Sequence, residues 1–276
     1  MNKHNKKNKD HRRSGDPAPR ERHREHGHGP TGGQIWVHGY HAVIAALSNP
    51  ERKVLRLLAT QEAYDKLAQE KTVPRATLAR AQRVSRKELD AVLGDDFTHQ
   101  GIALQTEPIE QRIEDVLEIA GALESAVVMV LDQITDPHNV GAIIRSSAAL
   151  GAVAVLSPTR HAPGEGGIVA KTASGALERV PYVQVINIAR TLERLKEKGF
   201  WVIGLAGDAA KSLSSVDLKG RIAFVLGTEG EGLRRLVRET CDITARLPIA
   251  EGVESLNVSN AAAVALYERA RQVGAA

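Results

Sequence analysis

From about position 125 onward the chain repeats one pattern, a short apolar run without alternation followed by a stretch of helical spacing. The runs lie at 127–131, 153–156, 183–186, 201–205 and 222–226, and the helical stretches at 141–150, 188–198, 232–239 and 259–272. A strand that is apolar at every position is covered on both faces. Strands that alternate with helices build βαβ units around a parallel sheet. The pattern predicts an α/β domain over 125–276, whose ligands would sit in the loops beyond the strand ends.

A smaller α/β module precedes it over 34–106. Its signals are an apolar run at 35–39 ended by Gly39, helical spacing at 40–47, a strand at 54–59, a helix at 61–69, the capping box Ser85-Arg86-Lys87-Glu88, and a closing strand at 101–105. Residues 107–124 contain Pro108 and a mixed-charge helical pattern but no strand signal, and read as a linker. Residues 1–33 differ in kind. The first 30 hold nine Lys or Arg against four Asp or Glu, five of the ten histidines, and only Met1 and Ala18 as apolar side chains. Such a segment cannot offset the entropy of ordering, which predicts a disordered basic tail. It is either an arm that binds nucleic acid through its phosphates with salt-sensitive affinity or a solubilising extension. The other 246 residues carry 28 basic against 29 acidic side chains, so the positive balance belongs to the tail.

Composition excludes several classes. Aromatic residues make up 3% of the chain, so the interior must be built from Ala, Val, Leu and Ile. No apolar run approaches the roughly 20 residues of a membrane helix, and no apolar stretch follows the Lys-rich start, which argues against a secretory signal and for the cytoplasm. Cys241 is the single cysteine, so neither an internal disulfide nor a thiolate zinc cluster is available. His26-Gly27-His28 has no accompanying carboxylate or thiol pattern and reads as part of the tail.

Three stretches of the second domain gather its unusual residues. The first runs from Asp132 to Ser147. Here Asn139 suits the N-cap of a helix beginning near Gly141, and Arg145 falls in the first two turns, at an end whose amides favour anions. A cation there implies a phosphate or carboxylate partner, or else a surface ion pair. The second runs from Phe224 to Leu233. Gly227 and Gly232 have the spacing of a phosphate-binding loop, but Leu233-Arg234 replaces its Lys-Ser or Lys-Thr, so this is no nucleoside triphosphate loop. The one Gly-x-Gly-x-x-Gly match, at 27–32, lies in the tail without a preceding strand. Glycines at 227, 230 and 232 indicate that backbone approaches something closely. The third runs from Leu247 to Asn260, where Ser255, Asn257 and Ser259 compete as caps for the last helix, more caps than one helix needs. Ser174 lacks the flanks of a nucleophile elbow, which disfavours a Ser hydrolase.

In order, spacing and wording, these stretches resemble the three signature motifs of the TrmH (SpoU) branch of the SPOUT RNA 2′-O-ribose methyltransferases. Over residues 34–273 the resemblance is greatest to the RlmB-like enzymes, which act on a guanosine in 23S ribosomal RNA. It implies an N-terminal RNA-binding domain and a catalytic domain with a parallel sheet and a deep trefoil knot. It further implies S-adenosylmethionine as cofactor, no metal, and a homodimer through the knot helices. Matched by motif, Asn139, Arg145, Glu229, Ser255 and Asn257 form the catalytic set, and Gly207, Gly227, Leu247 and Leu256 the cofactor-contacting set. Arg145 would engage the target phosphate and ribose 2′-hydroxyl. A guanidinium releases its proton only above pH about 12, so orientation and oxyanion stabilisation suit it better than general base work. Two departures stand out, Leu247-Pro-Ile-Ala where the family often has Ile-Pro-Met, and Thr228 where Ala or Asn is frequent. Transfer RNA is the rival substrate, and a non-catalytic RNA-binding assembly factor the rival of another class.

Overall fold

The computed structural model describes residues 33–94 and 97–274; the basic tail expected at 1–33 lies almost wholly outside them. The chain opens with β1 (Ile35–His38), α1 (Tyr40–Ser48), β2 (Val54–Ala59), α2 (Gln61–Leu67), α3 (Arg75–Ala79), β3 (Gln82–Arg83), α4 (Arg86–Leu93) and β4 (Ile102–Thr106). These strands form a four-stranded mixed sheet in the order β1-β4-β2-β3, with β4 antiparallel to both neighbours. The expected capping box opens α4: Ser85 Oγ accepts from the Glu88 N–H, and the Glu88 carboxylate accepts from the Ser85 N–H at 2.7 Å.

The chain continues through α5 (Ile113–Ala122), β5 (Ala126–Leu131), α6 (Pro137–Ala149), β6 (Ala154–Pro158), α7 (Gly167–Ala173), β7 (Tyr182–Val185), α8 (Ile188–Glu197), β8 (Trp201–Leu205), β9 (Lys211–Ser212), β10 (Arg221–Leu226), α9 (Arg235–Thr240), β11 (Ile243–Arg246) and α10 (Val258–Gln272). Seven strands, β7-β6-β5-β10-β8-β11-β9, form a sheet that is parallel throughout. Every residue of β5 is buried. Its alternate side chains enter two cores: Val127, Met129 and Leu131 face α6, α7 and α10, whereas Ala126, Val128 and Val130 face α5, α8 and α9. Burial of each of its Val, Met and Leu side chains is worth about 1.5–3 kcal/mol, which explains the absence of polar alternation. The first core runs without a break into the small sheet through Val37, Leu57, Ile102 and Leu104.

The structure departs from the sequence reading in four places. The stretch read as a linker contains α5, which buries Val116, Leu117 and Ala120 against the large sheet. Helix α6 begins four residues before Gly141: Asp136 is its cap, accepting from the His138 N–H at 3.0 Å, with Pro137 in the first turn, so Asn139 is not the N-cap. Helix α9 starts at Arg235 rather than at 232. The short elements α3, α7, β3, β9 and β11, of two to seven residues, leave no periodic signal in the sequence. Gly141 has a packing reason of its own, since a Cβ there would stand 2.6 Å from Thr172 Cβ and 2.9 Å from the Val169 carbonyl oxygen. Helices α6 and α7 touch through that gap.

Candidate active site

Strand β10 lies between β5 and β8, and β11 lies beyond β8. Because these four strands are parallel, the segments after them, 132–136, 227–234, 206–210 and 247–257, emerge side by side at one edge of the sheet. Asp132 ends β5 as a buried carboxylate. It accepts from the Arg234 backbone N–H at 3.0 Å and from Arg234 Nε at 2.7 Å, with Nη2 at 2.6 Å, and so ties the end of the glycine turn to the neighbouring strand. Nothing local in the sequence marks this pair, whose members lie 102 residues apart.

Within the turn, Thr228 and Gly232 exchange backbone hydrogen bonds of 3.1 and 3.0 Å. Gly230 and Gly232 adopt φ of +96° and +69°, and a Cβ on Gly227 would run into the backbone of Gly232 and Leu233. The close approach expected of these glycines is therefore made by the turn to itself. This folding projects Glu229 outward. Its Oε1 accepts from the Val258 N–H at 3.0 Å and from Asn257 Nδ2 at 3.1 Å. Asn257 Nδ2 also donates to Asn139 Oδ1 at 3.0 Å. The Asn257 Oδ1 caps α10, accepting from the Ser259 N–H at 2.9 Å. Residues from all three stretches thus meet at one junction, with a carboxylate on the positive end of a 15-residue helix.

The junction is only part of the expected set. Ser255 is exposed and, among the described residues, makes no hydrogen bond. Arg145 is exposed on α6, about one and two-thirds turns beyond Asn139 and on a different face. It belongs to the face of Gly141 and Ala148, and lines a groove of about 810 Å³ against α1 and α7. Among the described residues no ion pair or hydrogen bond occupies its guanidinium, and none links it to Asn139, Glu229 or Asn257.

Of the other positions matched by motif, Gly207 is an exposed turn residue with nothing within 4 Å of a built Cβ, and Leu247 and Leu256 are half-buried. Thr228 Oγ1 is buried without a hydrogen-bond partner in the same turn. An unmet hydroxyl in the glycine turn, with half-buried leucines and an open glycine on the other loops at the same sheet edge, fits a ligand with both apolar and polar parts. Cys241 offers no alternative nucleophile, since burial pushes its thiol up to about 12.

The sequence matches the SpoU rRNA methylase family over residues 126–267 and the RNA 2′-O ribose methyltransferase substrate-binding family over 36–112. The curated 23S rRNA (guanosine-2′-O-)-methyltransferase RlmB of Xylella fastidiosa is 40% identical over 242 residues, spanning 86% of this chain and 96% of that protein. RlmB of Pseudomonas aeruginosa is 41% identical over 245 residues, with the same coverage. Among solved structures, the SpoU methyltransferase AviRb from Streptomyces viridochromogenes, in complex with AdoMet, superposes with a TM-score of 0.73 at 23% identity, covering 87% of this chain and 91% of that one. That likeness is one of fold. With family matches on both sheets and such relatives along most of its length, the chain belongs to the SpoU rRNA methylase family.

Proposed function

We propose that the protein transfers a methyl group from S-adenosylmethionine to the ribose 2′-oxygen of a guanosine in 23S ribosomal RNA, acting in the cytoplasm as a homodimer. The observation that carries this reading is the hydrogen-bonded junction of Asn139, Glu229 and Asn257, residues far apart in sequence that the fold brings together. The curated relatives supply the substrate class. In this reading residues 34–106 bind RNA and 125–276 catalyse, with α5 between them packed on the catalytic sheet. The C-terminal segment would pass through the preceding loop as a deep trefoil knot; pinning of the α10 N-terminus to both α6 and the glycine turn supports this.

Bound S-adenosylmethionine supplies an electrophilic methyl group on a sulfonium. The loops bearing Gly207, Gly227, Leu247 and Leu256 would hold it, with Thr228 Oγ1 as a free polar contact. Asn139, Glu229 and Asn257 fix the mouth of that pocket, and Ser255, exposed beside them, is free to reach substrate. Arg145 would bind the target phosphate and hold the ribose hydroxyl, stabilising its oxygen as the proton leaves to phosphate or solvent. By holding the ribose in place beside the cofactor loops, these residues would supply much of the acceleration through orientation. Since Asn139 and Arg145 stand on different faces of α6, a second copy packed on α6 and α10 would bring a guanidinium to the junction. Exposure of Val264 (43%) and Tyr267 (54%) on α10 supports that contact.

Incubation of the purified protein with methyl-labelled S-adenosylmethionine and separate pools of 23S ribosomal and transfer RNA tests the proposal. Label in 2′-O-methylguanosine from 23S RNA is expected; label confined to transfer RNA, or absent from both, overturns it.

A further inference from the structure

The groove beside Arg145 has chemistry that the three-loop junction does not use. Its walls come from both halves of the chain, with Tyr40, His41 and Glu70 on one side and Arg145 and Arg179 on the other. Its volume of about 810 Å³ accommodates a nucleotide with room for a neighbour. Glu178 also lines it, but Arg52 and Asn49 occupy that carboxylate at 2.6–3.0 Å. Arg145 and Arg179 are exposed and, among the described residues, form no ion pair. The Glu70 carboxylate is half-buried and oriented by Tyr40, whose phenol donates to Oε1 at 3.1 Å. Its second oxygen has no partner among the described residues. Beside it, Tyr40 and His41 lie edge to face with ring centroids 6.1 Å apart, offering aromatic surface for stacking.

A carboxylate accepts and never donates. Among the RNA bases only guanine presents two adjacent donors, N1–H and N2–H, on one edge. Adenine and cytosine pair each donor with an adjacent acceptor, and uracil places its single donor between two acceptors. A base bearing two donors next to an anionic phosphate matches a groove with one available carboxylate and two cations. We infer that this groove seats the base of the target guanosine, with Glu70 accepting from N1–H and N2–H while Arg145 holds the ribose phosphate. The inference rests on the reading of the chain as a guanosine ribose methyltransferase, and makes Glu70 a specificity-determining residue supplied by the small-sheet half.

The test uses the full chain and a 23S RNA fragment carrying either guanosine or inosine, which lacks the 2-amino group, at the methylated position. Both methyl transfer and RNA affinity are measured for the wild type, Glu70→Ala and Glu70→Gln. Loss of one charge-assisted hydrogen bond is expected to favour guanosine over inosine by about tenfold or more in the wild type. Glu70→Gln, which still accepts from Tyr40 but turns an amide donor toward the base, and Glu70→Ala should both bring that ratio close to one. Unchanged circular dichroism and thermal midpoint in Glu70→Gln separate recognition from folding. If both variants keep the wild-type ratio, or if the wild type shows no preference, the inference is overturned. If methyl transfer fails in every protein while RNA affinity retains a Glu70-dependent guanosine preference, the groove stands and the methyltransferase reading falls.

Discussion

The three-loop junction and the seam between the two sheets are both built from polar side chains, yet they are built in opposite ways. At the junction, Asn139, Glu229 and Asn257 are joined by hydrogen bonds at a solvent-exposed edge, and Arg145, on another face of α6, is exposed with no ion pair among the described residues. At the seam, the Arg52 side chain is wholly covered. It is clamped by Glu178 through three hydrogen bonds of 2.8–3.0 Å, contacts Glu165, and donates to the Glu107 carbonyl at 3.1 Å. The first arrangement leaves valences open for a ligand. The second surrounds a buried cation with two carboxylates and a carbonyl oxygen, because an unpaired charge there would cost folding energy. Substitutions at the first site should therefore change activity with little change in stability, and substitutions at the second the reverse.

The sharpest separation is expected at Arg145. Arg145→Ala removes no observed partner, and alanine is a good helix residue, so stability should stay within about 0.5 kcal/mol of wild type. Methyl transfer should fall by about 10²–10³-fold, the loss typical of a donor that stabilises a developing oxyanion. Single-turnover rates and thermal melts on the same preparation check both halves. An active variant, or one that melts far below the wild type, breaks the contrast. Arg52→Ala is its counterpart. It leaves Glu165 and Glu178 buried without their cation, and should cost about 3–5 kcal/mol by urea unfolding. A loss below about 1 kcal/mol would show that the seam is hydrated and its ion pairs weak.

The same contrast marks where the sequence could be read. Strand β5 and its parallel neighbours were visible as unbroken apolar runs, because burial on both faces is written into every residue. The capping box at Ser85 was visible because both its members lie within four residues. The convergence of Asn139, Glu229 and Asn257 was legible only through resemblance to a family. Helix α7 begins with Gly167 and is seven residues long, too short for a periodic signal, and β11 (Ile-Thr-Ala-Arg) mixes polar with apolar side chains. Asp136-Pro137 is a good helix start, but Asn139 competed with it as a cap and hid the true boundary. The seam was invisible for a simpler reason: Arg52 and Glu178 are 126 residues apart, and nothing local to either announces the other.

A further consequence of closing the seam appears in its response to acid. His38, 2% exposed at the end of β1, meets Phe97 edge-on at 5.2 Å. Burial pushes its imidazole down from 6.5 to about 4, with the Lys171 charge adding to the effect. The unfolded chain therefore binds a proton there below pH about 6.5 that the folded chain refuses until about pH 4, and stability is lost as pH falls through that window. The contribution reaches about 3 kcal/mol at pH 4, from a shift of some 2.5 units at 1.36 kcal/mol each. Unfolding free energies of wild type and His38→Gln between pH 7 and 4 should converge by about that amount. Curves that stay parallel would mean that water reaches the ring.

Asn257 is the residue at which the two modes of construction overlap. Its side-chain oxygen accepts from the Ser259 N–H as the cap of α10, and its amide donates to Asn139 and Glu229, so one side chain serves helix and junction together. Loss of the cap alone is worth about 1 kcal/mol. Asn257→Asp keeps the cap oxygen and strengthens the interaction with the helix end, but removes the two donated hydrogen bonds and sets a carboxylate against Glu229. If the junction matters only as a cap, Asn257→Asp should be as stable and as active as wild type, and Asn257→Ala should lose about 1 kcal/mol with little loss of rate. If it shapes the pocket mouth, both variants should lose methyl transfer at least tenfold, and their affinity for S-adenosylmethionine by isothermal titration should fall with it. The second outcome is the one the shared Glu229 acceptor predicts, because that carboxylate also holds the Val258 N–H at 3.0 Å and cannot move without carrying the start of α10 with it.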